Sequence, residues 1–234
     1  MYRRMLLLWL AVFMIAFLMS GCNWDLTSPN DADQQSVNQP PTNGSKTDPD
    51  IDSYPRQSIS LNVPFLPQVA PGTWAETKNC GQTCAVMLAG YFNRTAVNAD
   101  RITAQNSWLA RYTGDQRYNQ TNGWYTGGNA LNNFRALLSQ YNSLNTAVCN
   151  GSTPEDVVNQ TANGRPCIVG VMISNGSLVS RGGVAHWAIV VGWDGRNIIL
   201  NDPGTNRGNH IAYSIDAFNA SWATQGKIYM PVWR

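Results

Sequence analysis

Apolar and polar positions divide the chain into three stretches of different character. Residues 6–19 form an almost unbroken apolar run behind Arg3 and Arg4. That arrangement matches a secretory signal, and it falls short of the roughly 20 residues that a membrane-spanning helix needs. Residues 23–57 are rich in Asn, Asp, Ser, Gln, Thr and Pro and carry almost no large apolar side chains. Such a stretch cannot bury enough surface to offset its ordering entropy, so it reads as a tether. Treated as a flexible coil of about 35 residues, it spans on the order of 30–35 Å root-mean-square. From residue 58 onward apolar positions recur with helix and strand periods, and residues 58–234 form one domain by size, with room for a core.

Residues 59–65 alternate loosely and read as an opening strand, followed by a loop through Pro67, Pro71 and Gly72. Residues 80–92 are predicted helical, because Cys84, Met87, Leu88 and Tyr91 fall on one stripe. Residues 100–109 and 130–141 are two further helices. The second of these carries Leu131, Phe134, Leu138 and Tyr141 on one side. Residues 112–128, rich in Gly, Asn, Tyr and Thr, are expected to be a loop rimming a cleft. Residues 144–149 read as a short strand. Thr153-Pro154-Glu155-Asp156 then starts a helix that Gly164-Arg165-Pro166 ends. Residues 167–173 are continuously apolar, as a central strand should be. Residues 184–193, 197–200 and 227–232 are later strands, with a hairpin signal at Asp194-Gly195 and a short helix over 214–222. Helices mostly precede hairpin-linked strands, which argues an α+β fold with an antiparallel sheet rather than a doubly wound parallel one.

Charge narrows the function classes. The net charge of +2 comes from Arg3 and Arg4; without them the 16 basic residues fall to the number of acids, 14. There is no basic block and no Arg-rich helix, so no nucleic-acid partner is expected. No cofactor is implied, and a monomer is expected. Leu18-Met19-Ser20-Gly21-Cys22 resembles a bacterial lipobox, although Met19 is a less usual residue at its position. The resemblance implies cleavage before Cys22 and lipid on its sulfur. Residues 1–21 would then be a lipoprotein signal peptide and residues 22–57 a lipidated tether. The domain would face outside the cytoplasm in the bacterial cell envelope, anchored to a membrane. An ordinary secretory signal or a retained anchor are the alternatives, and both also export the domain.

With Cys22 set aside, Cys80, Cys84, Cys149 and Cys167 remain. An even count in an exported protein points to disulfides. Cys80 and Cys84 lie four apart on a predicted helix, where the geometry rarely suits a bridge. Pairing among Cys84, Cys149 and Cys167 stays open.

The candidate chemistry is that of an activated thiol. Cys80 sits where the first predicted helix begins, and free N–H groups at a helix start stabilise a thiolate. His186 lies in an apolar strand and could take the thiol proton and return it to a leaving amine. The Asp194-Gly195 turn sets residues near His186 opposite residues near Asp202, which could hold the imidazole. The backbone N–H of Cys80 and the side chain of Gln68 are candidate donors to a tetrahedral oxyanion.

Val63-Pro64-Phe65-Leu66-Pro67-Gln68, followed by Asn79-Cys80-Gly81-Gln82-Thr83-Cys84-Ala85-Val86-Met87, resembles cysteine peptidase family thirty-nine. These are papain-fold enzymes related to the double-glycine leader peptidases. Gly164-Arg165-Pro166, His186, Asp202-Pro203 and a Tyr213-Ser214…Phe218…Trp222 tail follow in the family's order. The resemblance implies a papain-like cysteine peptidase fold, with the nucleophile at a helix start packed on an antiparallel sheet. It implies Cys80 as nucleophile, His186 as base, Asp202 as orienter and Gln68 as oxyanion donor, acting on a peptide or protein substrate. Gln82 stands where the family usually has proline, and Cys84 where Ser or Ala is common. Two other functions use the same residues or the same fold: another thiol acyl-transfer enzyme (deamidase or transglutaminase-like), and a non-catalytic binding module. A metal site from Cys80, Cys84, His186 or His210 is a weaker reading, because C-x-x-x-C on a helix is not the usual zinc spacing.

Overall fold

A computed structural model describes residues 53–68, 78–119 and 130–234. The expected signal, most of the expected tether, residues 69–77 and part of the expected rim loop lie outside the described residues. The described chain runs β1 (Ile59–Ser60), α1 (Cys80–Asn93), α2 (Ala99–Thr113), a 3-10 turn (Gln116–Asn119), α3 (Ala130–Ala136), β2 (Asn145–Thr146) and α4 (Pro154–Ala162). It continues with β3 (Cys167–Ser174), β4 (Ser177–Leu178), β5 (Val184–Trp193), β6 (Asn197–Asn201), β7 (Ile211–Ser214), α5 (Ile215–Ala223) and β8 (Tyr229–Trp233).

The sheet is ordered β2-β8-β3-β5-β6-β7, with every pairing antiparallel. Helices come first and hairpin-linked strands last, so the fold is α+β with an antiparallel sheet, as expected. β3 is central, and its first five residues are all buried, which explains its unbroken apolar run. It pairs with β5 from Cys167↔Val190 to Ile173↔Val184. Beyond its pairing with β8, a side chain takes over: Met172 N–H donates to Ser221 Oγ at 2.8 Å, and the hydroxyl donates back to Met172 O at 2.7 Å. That exchange fixes α5 to the strand beside β5.

Helix α1 is buried from Cys80 to Ala89. Cys84, Met87 and Leu88 join Leu109 of α2, Phe134 and Leu138, and the sheet residues Ile168, Ile189, Val191 and Met230 in one core. Such all-round burial lets a helix without charged residues in either end turn form, since packing rather than propensity supplies its stability. α4 shows the expected start: Thr153 accepts from Asp156 N–H and Asp156 accepts from Thr153 N–H, a reciprocal capping box.

Several elements differ from the periodic pattern. The opening strand is only Ile59–Ser60, because Pro64 and Pro67 bring no N–H to a ladder. α2 begins one residue earlier than expected and runs on to Thr113, with Asn98 as its cap. Tyr112 and Thr113, expected in a loop, are therefore helical. Residues 137–141 continue α3 as a π turn, with Asn142 N–H reaching back to Leu137 O. Tyr54, assigned to the tether by composition, is buried and stacks on Trp193 at 4.9 Å. Among the described residues no helix is long and apolar enough to cross a membrane.

Candidate active site

Cys80 is the first residue of α1 and is 92% buried, with 8% of its surface exposed. The residue before it, Asn79, does not cap the helix with its side chain. Its Oδ1 instead accepts from Asn106 Nδ2 at 3.0 Å, and Asn106 Oδ1 accepts from Gln82 Nε2 at 2.6 Å. Asn79, Gln82 and Asn106 are all buried. The amide that would ordinarily close the helix start is thus committed to α2, and the first turn keeps no side-chain cap of its own.

His186 is delivered by β5, paired with Val171 of β3. The β5–β6 register runs from Trp193↔Ile198 to Ile189↔Asn201, with a bulge between Val190 and Gly192. Continued by one residue, it sets Asp202 level with Ala188, which shares its face of the strand with His186. The side chains meet: His186 Nε2 and Asp202 Oδ1 are 2.7 Å apart, both buried. An ionised carboxylate only accepts, so Nε2 carries a proton and Nδ1 is left for the thiol. Burial alone would lower the His186 imidazole. Hydrogen bonds to Asp202 and to the Cys80 thiol, and the charges of both, outweigh it and hold the ring at about 10.

Asp202 is held from three sides. Gly204 N–H donates to the same Oδ1 at 2.7 Å, Asp202 N–H donates to Gly208 O at 2.8 Å, and the ring of His186 covers the carboxyl. The loop from residue 203 to 208 also receives Gln68, whose backbone N–H donates to Pro203 O at 2.9 Å. Asn201 Nδ2 donates to Val63 O at 2.9 Å, so the loop carrying Gln68 is tied to the end of β6 at two points. Gln68, Cys80 and His186 all line one cleft of about 1110 Å³. The structure therefore brings together Cys80, His186, Asp202 and Gln68.

Residues 60–230 match the profile of the Peptidase_C39 like family. The chain belongs to that family. As a Peptidase_C39 like chain it is a hydrolase of the cysteine peptidase type. The crystal structure of a protein from Bacillus anthracis described as a C39-like peptidase shares its fold, with a TM-score of 0.51 at 16% identity. The superposition covers 76% of this chain and 98% of the other. Among curated proteins no sequence match was found.

Other residues singled out by the sequence lie differently. Cys84 and Cys167 are free thiols and are not bridged to Cys80, which is also free. Cys84 is fully buried one turn along from Cys80, its thiol donating to Trp187 O at 3.5 Å. Burial first, then the negative charges of Cys80 and Asp202, push it well above an ordinary thiol, so it stays protonated. Burial likewise raises Cys167. His210 stands apart, with its ring nitrogens at Asn209 Oδ1 and Leu61 O. Among the described residues no group of three or more metal-ligating side chains comes together.

The described rim of the cleft is the stretch joining β3 to β5, including Asn175, Gly176, Gly182 and Gly183, together with residues 204–207; residues 120–128 of the expected rim loop lie outside the described residues. Asn175-Gly176, with positive φ at both residues, is a hairpin signal that would have located β4 and this rim. Gly204 carries no such signal in the sequence. A Cβ there would lie 3.0 Å from both Asp202 Oδ1 and His186 Cε1.

Proposed function

We propose that this Peptidase_C39 like chain hydrolyses peptide bonds in an exported compartment, with Cys80 as nucleophile and His186 as general acid and base. Cys80 Sγ, as thiolate, attacks the scissile carbonyl carbon, and the carbon–oxygen π electrons move onto oxygen. The backbone N–H of Cys80 and the side-chain amide of Gln68 donate to that oxyanion. The carbonyl re-forms, the carbon–nitrogen bond breaks, and His186 Nδ1–H protonates the departing amine. Water then attacks the thioester carbonyl, giving its proton to Nδ1; the carbon–sulfur bond breaks, Cys80 leaves as thiolate and the acid is released. Asp202 accepts from Nε2–H throughout and holds the ring toward the sulfur. The observation that carries this reading is the buried contact of 2.7 Å between His186 Nε2 and Asp202 Oδ1, with the Cys80 thiol on the other side of the ring.

Peptide hydrolysis is read most simply with the folded domain, a mixed peptide library and mass spectrometry of the products. New termini in the wild type, absent with Cys80→Ala, are expected. Conversion of glutamine to glutamate, or cross-linking without chain cleavage, would replace hydrolysis by deamidation or transfer.

Location is the second part of the proposal. Arg3, Arg4, the apolar run and Leu18-Met19-Ser20-Gly21-Cys22 support export and lipid attachment at Cys22. Two or three acyl chains anchor stably where one does not. Metabolic labelling with a palmitate analogue is expected to mark the wild type and not Cys22→Ser. An unlabelled wild type found free in the medium would overturn the anchor.

A further inference from the structure

Among the described residues the cleft lining carries charge of one sign: Lys78 and Arg207 are cationic, and no carboxylate lines it. Asp202 is fully buried and already accepts from His186 and from Gly204 N–H, so it offers little to neutralise the cleft mouth. The other acids among the described residues lie outside the cleft lining: Asp100, Asp115, Glu155, Asp156, Asp194 and Asp216. Lys78 and Arg207 are both exposed, and neither takes part in an ion pair among the described residues. They flank the reacting groups from different elements. Lys78 is two residues before Cys80, on the helical side. Arg207 is on the loop after β6 whose Gly204 abuts the His186 ring, on the sheet side.

A peptide laid across Cys80 therefore passes between two unpaired cations. We infer that the cleft selects peptides bearing carboxylates close to the scissile bond, with Lys78 and Arg207 as specificity determinants on opposite sides of it. The inference rests on the peptidase reading above. An exposed carboxylate–cation pair contributes a fraction of a kcal/mol to about 1 kcal/mol, so each matched carboxylate is expected to raise kcat/KM about two- to fivefold. A lysine in the same place lowers it, because it meets like charge. High salt erodes the preference, since both cations face solvent.

The test is a randomised synthetic peptide library digested by the wild type, by Lys78→Glu and by Arg207→Glu, with cleavage sites read by mass spectrometry. The wild type is expected to enrich Asp and Glu on both flanks of the cleaved bond. Each reversed variant is expected to switch one flank to Lys and Arg and to leave the other flank unchanged. The thermal melt serves as the control for folding, and it is not expected to change in the two surface variants. Cleavage without acidic enrichment overturns the inference alone. Enrichment that survives both reversals also overturns it, since the selectivity would then arise elsewhere. No cleavage by the wild type overturns the peptidase reading and the inference with it.

Discussion

At the scale of single residues, the site depends on a histidine whose environment works in two directions. Burial favours a neutral ring, while Asp202 and Cys80 favour the imidazolium and hold it at about 10. That value lies above the ordinary 6.5, so the stability drawn from His186 is complete below about 6.5 and is lost as pH rises through 10. The wild-type Tm is therefore expected to fall more steeply between neutral pH and pH 10 than the Tm of Asp202→Asn. The same variant is expected to move the alkaline limb of the hydrolysis profile to lower pH, because the carboxylate that raises the ring is gone. An unmoved limb would show that Asp202 does not set the ring's protonation. Gly204 gives a second residue-scale prediction. A Cβ there would stand 2.7 Å from Ile173 Cδ1 and press on both Asp202 and His186. Misplacing a reacting group by about 1 Å can cost 10²-fold in rate. Gly204→Ala is expected to lower kcat by about that much while the Tm changes little. The candidate site residues stood out in the sequence because few other types can do this work. It was silent on Gly204, because a glycine required for close approach looks like any loop glycine.

At the scale of elements, legibility followed length and burial. α1, β3 and β5 carry long apolar patterns and stand close to where those patterns put them. β4 and β7 have two and four residues, too few for any period to register. The Asp194-Gly195 turn was readable because Asp194 Oδ1 accepts from the N–H groups of both Arg196 and Asn197, which fixes a tight reversal locally. The polar link between α1 and α2 was not readable, since Asn106 lies 24 residues from Gln82 and 27 from Asn79 and polar residues are usually expected outside. Asn106→Ala removes both of its hydrogen bonds and leaves two buried amides short of a partner. A loss of about 2–4 kcal/mol is expected in urea unfolding. Freed from Asn106, the Asn79 side chain can cap α1 and take N–H groups that would otherwise face the thiolate, so slower alkylation of Cys80 is expected as well. Normal stability together with normal alkylation would mean that the relay is ornamental.

At the scale of the whole molecule, the site is assembled from segments that are distant in sequence. The loop with Gln68, the start of α1, the open end of the β5–β6 hairpin and the 203–208 loop meet only because α1 packs on the sheet. The α+β class and the antiparallel sheet were legible from the order of helices and strands. The described rim of the cleft was not, because it comes from the connections around β4 and after β6, whose shape depends on tertiary contacts. On the proposed reading this assembly activates one of the three thiols that are free among the described residues. The most direct measurement is the rate of iodoacetamide alkylation at mildly acidic pH, mapped by mass spectrometry on the folded domain and compared with free cysteine. Cys80 is expected to react faster than free cysteine while Cys84 and Cys167 stay unlabelled, and His186→Ala is expected to abolish the advantage. Cys80 reacting no faster than free cysteine, or reacting equally fast without His186, would contradict the account.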